Sequence, residues 1–358
     1  MTEQFIYQTE QFADVKILRY QVPGFENLSL QQKELIYYLS EAAHCGRDIL
    51  FDQNNKYNLR VRRTLEAILL SYHGDRECED FKDFEVYLKR IWFSNGIHHH
   101  YSMDKIMPEF SEEYFGELIA NSNYELMPLN ASEDEVSLIV ELSGVIFDSE
   151  EEAKRVVLNP EMDLIASSAN NYYDGVSQQE VEDFYQQLDK GDVDRPISTG
   201  LNSKLVKENG VLVEKTWKVG GMYTEAIEEI VFWLEKALPV TDSELQQQSL
   251  IKLIEFYTTG DLTTFDDYSI LWVKDLDTHV DVMNGFIEVY GDALAIKGSW
   301  ESVVNFEDLE GSKRTKIISD NAQWFEDNSP VDSRFKKDVV KGVSAKVVTV
   351  AMLGGDCH

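Results

Sequence analysis

The segment Tyr268–Asp292, YSILWVKDLDTHVDVMNGFIEVYGD, constrains the fold more than any other part of the chain. It interleaves Asp275, Asp277, Asp281, Glu288, Asp292 and His279 with Trp272, Val280, Val282, Met283, Phe286, Ile287 and Tyr290. Proline is absent, and Gly285 and Gly291 are its only glycines. A stretch so rich in apolar residues must pack against something, and it carries its acids along beside that apolar surface. Carboxylates held there have perturbed proton affinities and bind cations well. The plainer alternative is an amphipathic core segment whose acids all point to water.

At 358 residues the chain has room for about two domains. An apolar content of 43% with 11% aromatics supports a real core. The charge is lopsided, with 65 acids against 33 Lys plus Arg and a net of -32. Such a surface repels phosphate backbones and anionic lipid, so neither nucleic acid nor membrane is expected as a partner. The N-terminus, MTEQFIYQTEQFADVKI, lacks the basic and apolar regions of a secretory signal. No window approaches the ~18 uninterrupted apolar residues of a membrane span. Cys45, Cys78 and Cys357 form an odd set without disulfide-like density, which fits reduced thiols and a cytoplasmic location.

The first half reads as helices. Ser29 and Gln32 make a capping box ahead of Leu35, Ile36, Leu39, Ala42 and Ala43 at helical spacing. Further helices are expected over Asn58–Tyr72 and Asp80–Phe93, the latter stopping at Ser94-Asn95-Gly96. Ser111, Ser132 and Ser177 are expected to begin others, the last two boxed with Glu135 and Glu180. Near Pro196 the texture changes. The runs 204–207 and 211–214 flank Glu208-Asn209-Gly210 as a hairpin with an Asn-Gly turn. A helix over Thr224–Leu238 follows, then one capped by Thr241 and Glu244 and closed by Gly260. A β-branched strand, Ala345–Leu353, runs into Gly354-Gly355-Asp356-Cys357-His358. Such a strand is either a legitimate terminus or an internal piece of a longer protein.

Catalytic motifs are scarce. Three consecutive histidines, His98, His99 and His100, cannot all face one metal from a helix, and on a strand only His98 and His100 share a side. A polar loop is the expectation there. His44, Cys45, His73 and Cys78 lack metal-ligand spacing. There is no His-Glu-x-x-His, no Gly-x-Ser-x-Gly, no phosphate loop and no dinucleotide fingerprint. Gly220-Gly221 before a helix is more simply a loop than a phosphate cradle.

Several segments nevertheless resemble the dipeptidyl peptidase III family of zinc exopeptidases, above all its bacterial members. Trp92-Phe93-Ser94-Asn95-Gly96 through Tyr101 and Pro108 is similar to the family's Tyr-Ser-Asn-x-Gly-Asn-Tyr region. Asn171-Tyr172-Tyr173-Asp174-Gly175 resembles its Tyr-Phe-Ser-Gly segment. Ile254–Gly260 through Trp272-Val273-Lys274-Asp275 resembles its Ile-Glu-Ser-Phe-x-x-Gly and Phe-Trp-Ile-x-Asp stretch. Asn284-Gly285-Phe286-Ile287-Glu288-x-Tyr290 is similar to its Gly-Phe-Ile-Glu-x-Tyr core.

The resemblance implies an α+β fold, predominantly helical with a small β-barrel, that forms part of a two-lobed peptidase. Residues 1–301 would be the barrel-containing lobe with N-terminal helices, 302–341 the start of the helical, zinc-carrying lobe, and 342–358 a strand returning to the barrel lobe. The family's zinc is held by a His-Glu-x-x-x-His helix and a later Glu, none of which this chain contains. Zinc is therefore implied for a complete enzyme that removes dipeptides from the amino terminus of oligopeptides. This chain alone is expected to hold no metal and to be inactive. The roles that carry over concern substrate binding. Asp281 falls where an acid binds the free amino terminus, and Tyr101 where an aromatic lines the cleft. Asn284 and Met283 lie along the same wall, Met283 replacing an aromatic of some members. Gly354 and Gly355 fall on an edge that pairs with extended peptide. The competing reading is a non-catalytic acidic peptide-binding or interaction protein that kept the fold.

Overall fold

The computed structural model describes residues 5–188, 191–340 and 346–356. Ala345, Cys357 and His358, named above, lie outside the described residues. Strands β1 (Gln8–Phe12) and β2 (Val15–Leu18) pair as a hairpin. Six helices follow: α1 (Leu30–Cys45), α2 (Arg47–Asn54), α3 (Asn58–Ser71), α4 (Glu79–Phe93), α5 (Glu112–Ala120) and α6 (Glu135–Phe147). The middle of the chain holds β3 (Tyr173–Asp174), α7 (Gln178–Gln187), β4 (Gly191–Asp192), β5 (Arg195–Pro196), β6 (Ser203–Glu208) and β7 (Val211–Thr216). Helices α8 (Thr224–Ala237), α9 (Glu244–Thr259) and α10 (Leu262–Lys274) lead into β8 (Val280–Glu288) and β9 (Ser299–Glu307). Last come α11 (Leu309–Asp320), α12 (Ala322–Asn328) and β10 (Val348–Gly355).

Local chemistry explains most boundaries. The capping boxes at Ser29 with Gln32 and at Ser177 with Glu180 both form, each satisfying donors that a helix start leaves orphaned. Two expected caps move by two residues. Asp134, not Ser132, receives the Ser137 N–H at the start of α6, and Ser243, not Thr241, receives the Gln246 N–H at the start of α9. A carboxylate is as good an acceptor as a hydroxyl, and Ser132 sits at φ 73, outside any N-cap conformation. Asn209 and Gly210, at φ 51 and 81, make the two-residue turn between Glu208 and Val211. Gly260, at φ 76, ends α9 in the left-handed conformation.

Two apolar clusters organise the molecule. One joins α3 to α6 around Phe81, Phe84, Ile91, Phe115 and Leu142. The other gathers α1, α8, α9 and the sheets around Trp217, Phe256, Phe286 and Trp300. The sheets are β3-β6-β7 and β10-β9-β8, with two-stranded pairs β1-β2 and β4-β5; among the described residues none closes on itself. The fold is thus mixed helix and sheet. Strand β9 runs through position 302 to Glu307, so that boundary falls inside a strand, and α11 starts only at Leu309.

Candidate functional site

The segment Tyr268–Asp292 is half helix and half strand, the end of α10 followed by β8. Residues 280–284 alternate in burial because one face of the sheet packs against α1 and α2, and the alternation ends at Gly285, which is buried as well. Pairing fixes which residues share that face. Val280, Val282, Asn284 and Phe286 lie opposite Phe306, Val304, Ser302 and Trp300, and all eight are buried. On the other face Asp281 pairs with Asn305, Met283 with Val303 and Gly285 with Glu301. The next strand continues that face with Val350, Leu353 and Gly355 opposite Asn305, Val303 and Glu301. Val350 and Leu353 are exposed, so the face opens toward β10 while Phe265 of α10 crowds it at Gly285.

Asp281 is the chemically distinctive group on the open face. Its Oδ1 accepts hydrogen bonds from Trp272 Nε1 and from the Val282 N–H, each at 2.8 Å. Among the described residues it forms no ion pair, and no hydrogen bond reaches Oδ2. Burial pushes its proton affinity above the usual carboxylate value, partly offset by the Trp272 and Val282 hydrogen bonds and by Lys346. The Lys346 ammonium itself is bonded to the Thr278 carbonyl at 2.6 Å. The result is an anchored, part-desolvated carboxylate with one oxygen uncommitted. A cation or an ammonium N–H is what such a group accepts best.

The other expected site residues separate. Met283 shares the open face with Asp281. Asn284 points the opposite way and is fully buried: it accepts from Tyr257 Oη and donates to Ser302 Oγ at 3.0 Å. Tyr257 Oη in turn accepts from Trp300 Nε1 at 3.2 Å. Gly354 faces α1, where an added Cβ would sit 2.8 Å from the Ala43 carbonyl. Gly355, at φ 75, leaves 2.2 Å between a hypothetical Cβ and the Trp300 carbonyl. Packing therefore dictates that both are glycine, and they present backbone only. Tyr101 lies on the loop after α4, 70% exposed, its ring against His100.

Trp272 as the donor to Asp281, and Glu301 and Asn305 across the strand, were not singled out from the sequence. The alternation within SWESVVNFE could have found the latter two, since Trp300, Ser302, Val304 and Phe306 occupy every second position. The histidine run is a loop in which His98 turns inward while the His99 and His100 rings stack on each other at 4.4 Å between centroids. His98 is buried against the Glu152 carbonyl at 2.7 Å, and burial lowers its imidazole to about 4. His99 Nδ1 accepts two backbone N–H groups. Among the described residues no three His, Cys, Asp or Glu side chains converge as a metal site, so a zinc ion does not fit the donors this chain provides there. No helix among them is long and apolar enough to cross a membrane.

Residues 197–351 match the family model described as Peptidase family M49. Dipeptidyl peptidase 3 of Dictyostelium discoideum is 31% identical over 139 residues, 38% of this chain and 20% of that protein. DPP III from Caldithrix abyssi superposes with a TM-score of 0.61 at 16% identity, covering 93% of this chain and 50% of that one. Dipeptidyl-peptidase III from Corallococcus sp. strain EGB gives a TM-score of 0.58 at 16% identity, over 94% of this chain and 50% of that one. The chain thus spans about half the length of these solved relatives.

Proposed function

We propose that this chain, a member of the dipeptidyl peptidase III family that spans part of its relatives' length, is the substrate-binding portion of a zinc-dependent dipeptidyl peptidase. Its ligand is an oligopeptide with a free amino terminus, and its place of action is the cytoplasm. The observation that carries this reading is Asp281: half-buried, unpaired by any cation, and hydrogen-bonded through one oxygen only. A peptide ammonium on Oδ2 would set a fixed distance from the terminus to the bond to be cut, as an exopeptidase requires. Met283 and Val303 on the same face are suited to the first side chains. Strand β10, at the sheet edge, offers the Gly354-Gly355 backbone to an extended peptide. Asn284 serves from behind, holding β8 to β9 through Ser302.

The three-stranded sheet β10-β9-β8 is read as part of a small barrel, and Tyr101 as lining the cleft from the helical cluster. In the complete enzyme zinc would polarise the scissile carbonyl and activate water; its ligands are not among the described residues of this chain. Cys45 and Cys78 are free thiols, which supports a reducing compartment.

Calorimetric titration of a free oligopeptide and its amino-terminally acetylated form tests the anchor. Asp281→Asn should weaken the free peptide by about 10- to 100-fold, the loss of one charge-assisted hydrogen bond, and leave the poorer acetylated ligand unchanged. Equal losses for both peptides would remove the anchoring role. One tightly held zinc per chain, or turnover of a dipeptidyl arylamide, would show that the chain is more than a substrate-binding portion.

A further inference from the structure

Strands β8 and β9 each carry one asparagine, and the fold treats the two differently. Asn284 is saturated by Tyr257 and Ser302 on the packed face. Asn305, on the open face, is 9% exposed, and its amide forms no hydrogen bond among the described residues. Neither amide atom is sealed from solvent, so the group is reachable from that face. Asn305 pairs directly with Asp281 on one side and with Val350 on the other. Asp281, Asn305 and Val350 therefore form one row across the three strands. Trp272, bonded to Asp281, closes the row at the α10 end, while Val350, 42% exposed, leaves it open at the β10 edge.

A largely buried amide without a partner is costly, and most such groups in folded proteins are bonded. Its complement is a peptide group, because an asparagine side chain supplies N–H donors and a carbonyl acceptor. The spacing says which peptide group. Neighbouring strands lie about 4.8 Å apart, and one residue advances an extended chain by at most about 3.6 Å. A peptide whose ammonium sits on Asp281 and whose chain leaves toward β10 thus carries its first peptide bond over Asn305. The Lys346 ammonium is bonded to the Thr278 carbonyl and is not spent on either side chain. We propose that Asn305 is the second substrate-binding residue of this site. Its Nδ2 donates a hydrogen bond to the first carbonyl of the peptide, so the site distinguishes an amino terminus followed by a peptide bond from an amine alone. This inference rests on the reading of Asp281 as the ammonium anchor.

Calorimetric titration of the 358-residue chain with tetra-alanine, and with the analogue in which an (E)-alkene replaces the first peptide bond, tests it. The analogue keeps the ammonium and the chain geometry but lacks the first carbonyl. The parent should bind tetra-alanine about three- to tenfold more tightly than the analogue, the range of one hydrogen bond. Asn305→Leu should bring tetra-alanine down to the analogue's affinity and leave the analogue unchanged. That variant removes an amide that bonds to nothing, so its thermal midpoint without ligand should equal or exceed that of the parent, and lost binding cannot be blamed on unfolding. Asp281→Asn should weaken both ligands by the same factor, since both carry the ammonium. Equal affinity of the parent for the two ligands overturns this inference, as does a preference for tetra-alanine that survives in Asn305→Leu; in either case the anchor stands if Asp281→Asn still weakens both. An Asp281→Asn variant that binds both ligands like the parent removes the anchor and this inference together. So does a parent that neither ligand saturates by about 10 mM, weaker than any specific site.

Discussion

Asp281 lies on β8 and Lys297 on the connection from β8 to β9, and both are charged groups withdrawn from water, yet the protein treats them in opposite ways. The Lys297 ammonium is fully buried and saturated by its own chain. It donates to Tyr185 Oη, to the Gly200 carbonyl at 3.1 Å and to Ser203 Oγ at 3.0 Å, over the Tyr173 and Tyr185 rings. Glu214 stands 3.9 Å away, itself accepting from Tyr185 and Ser203, while Asp292 receives the Lys297 N–H and the Tyr173 hydroxyl. Asp281 has two donors on one oxygen and no cation. A buried charge whose partners are all supplied internally is part of the scaffold. One left with an uncommitted oxygen on an open face is available to a ligand.

The sharpest break of this contrast is in pH. Burial lowers Lys297 to about 7 from 10.5, so between these values the unfolded chain binds more protons than the folded one. Stability should therefore rise from pH 7 to about 9, with a slope approaching about 1.4 kcal/mol per pH unit, and the penalty is fully present below pH 7. Urea melts of the parent and of Lys297→Met across that window should differ by this slope; parallel curves would mean that the ammonium is not desolvated. Second in size is Gly355→Ala, which puts a Cβ 2.2 Å from a backbone carbonyl at φ 75. It should cost about 2–3 kcal/mol, read as a shift in the urea midpoint.

The packed and open faces of the sheet make the third test. Tyr257→Phe strips the donor from Asn284 and the acceptor from Trp300, both buried, and should cost about 1–2 kcal/mol. The smallest effect is expected on the open face. Asp281→Asn relieves a desolvated carboxylate and keeps an acceptor for Trp272, so thermal stability at pH 7 should change by no more than about 0.5 kcal/mol. A loss as large as that of Tyr257→Phe would make Asp281 scaffold, like Lys297.

Local patterns carried much of this. The Ser29 and Ser177 boxes, the Asn209-Gly210 turn and the Gly260 stop rest on contacts within a few residues, so the sequence alone specifies them. Where two acceptors compete within one loop, as Ser132 with Asp134 or Thr241 with Ser243, the choice depends on the backbone path into the helix. The period-two burial of 280–284 is present in the residues, as is the placing of Asp281 among apolar neighbours.

Which side of the sheet each residue faces was also implicit in that alternation; what each side meets was not. Asn284 and Asp281 are three positions apart, and only the docking of α1 and α2 onto one face makes the first a core hydrogen-bond node and the second a candidate anchor. The glycines at 354 and 355 look in sequence like an exit from a strand. In the fold they are places where Ala43 and the Trp300 carbonyl leave no room for a side chain. The Lys297 node joins residues 94 to 112 positions apart, and no spacing rule links them. Periodicity and capping are short-range and legible from residues alone. The fate of a charge depends on which distant groups surround it and how much water they exclude, and only the packed structure decides that.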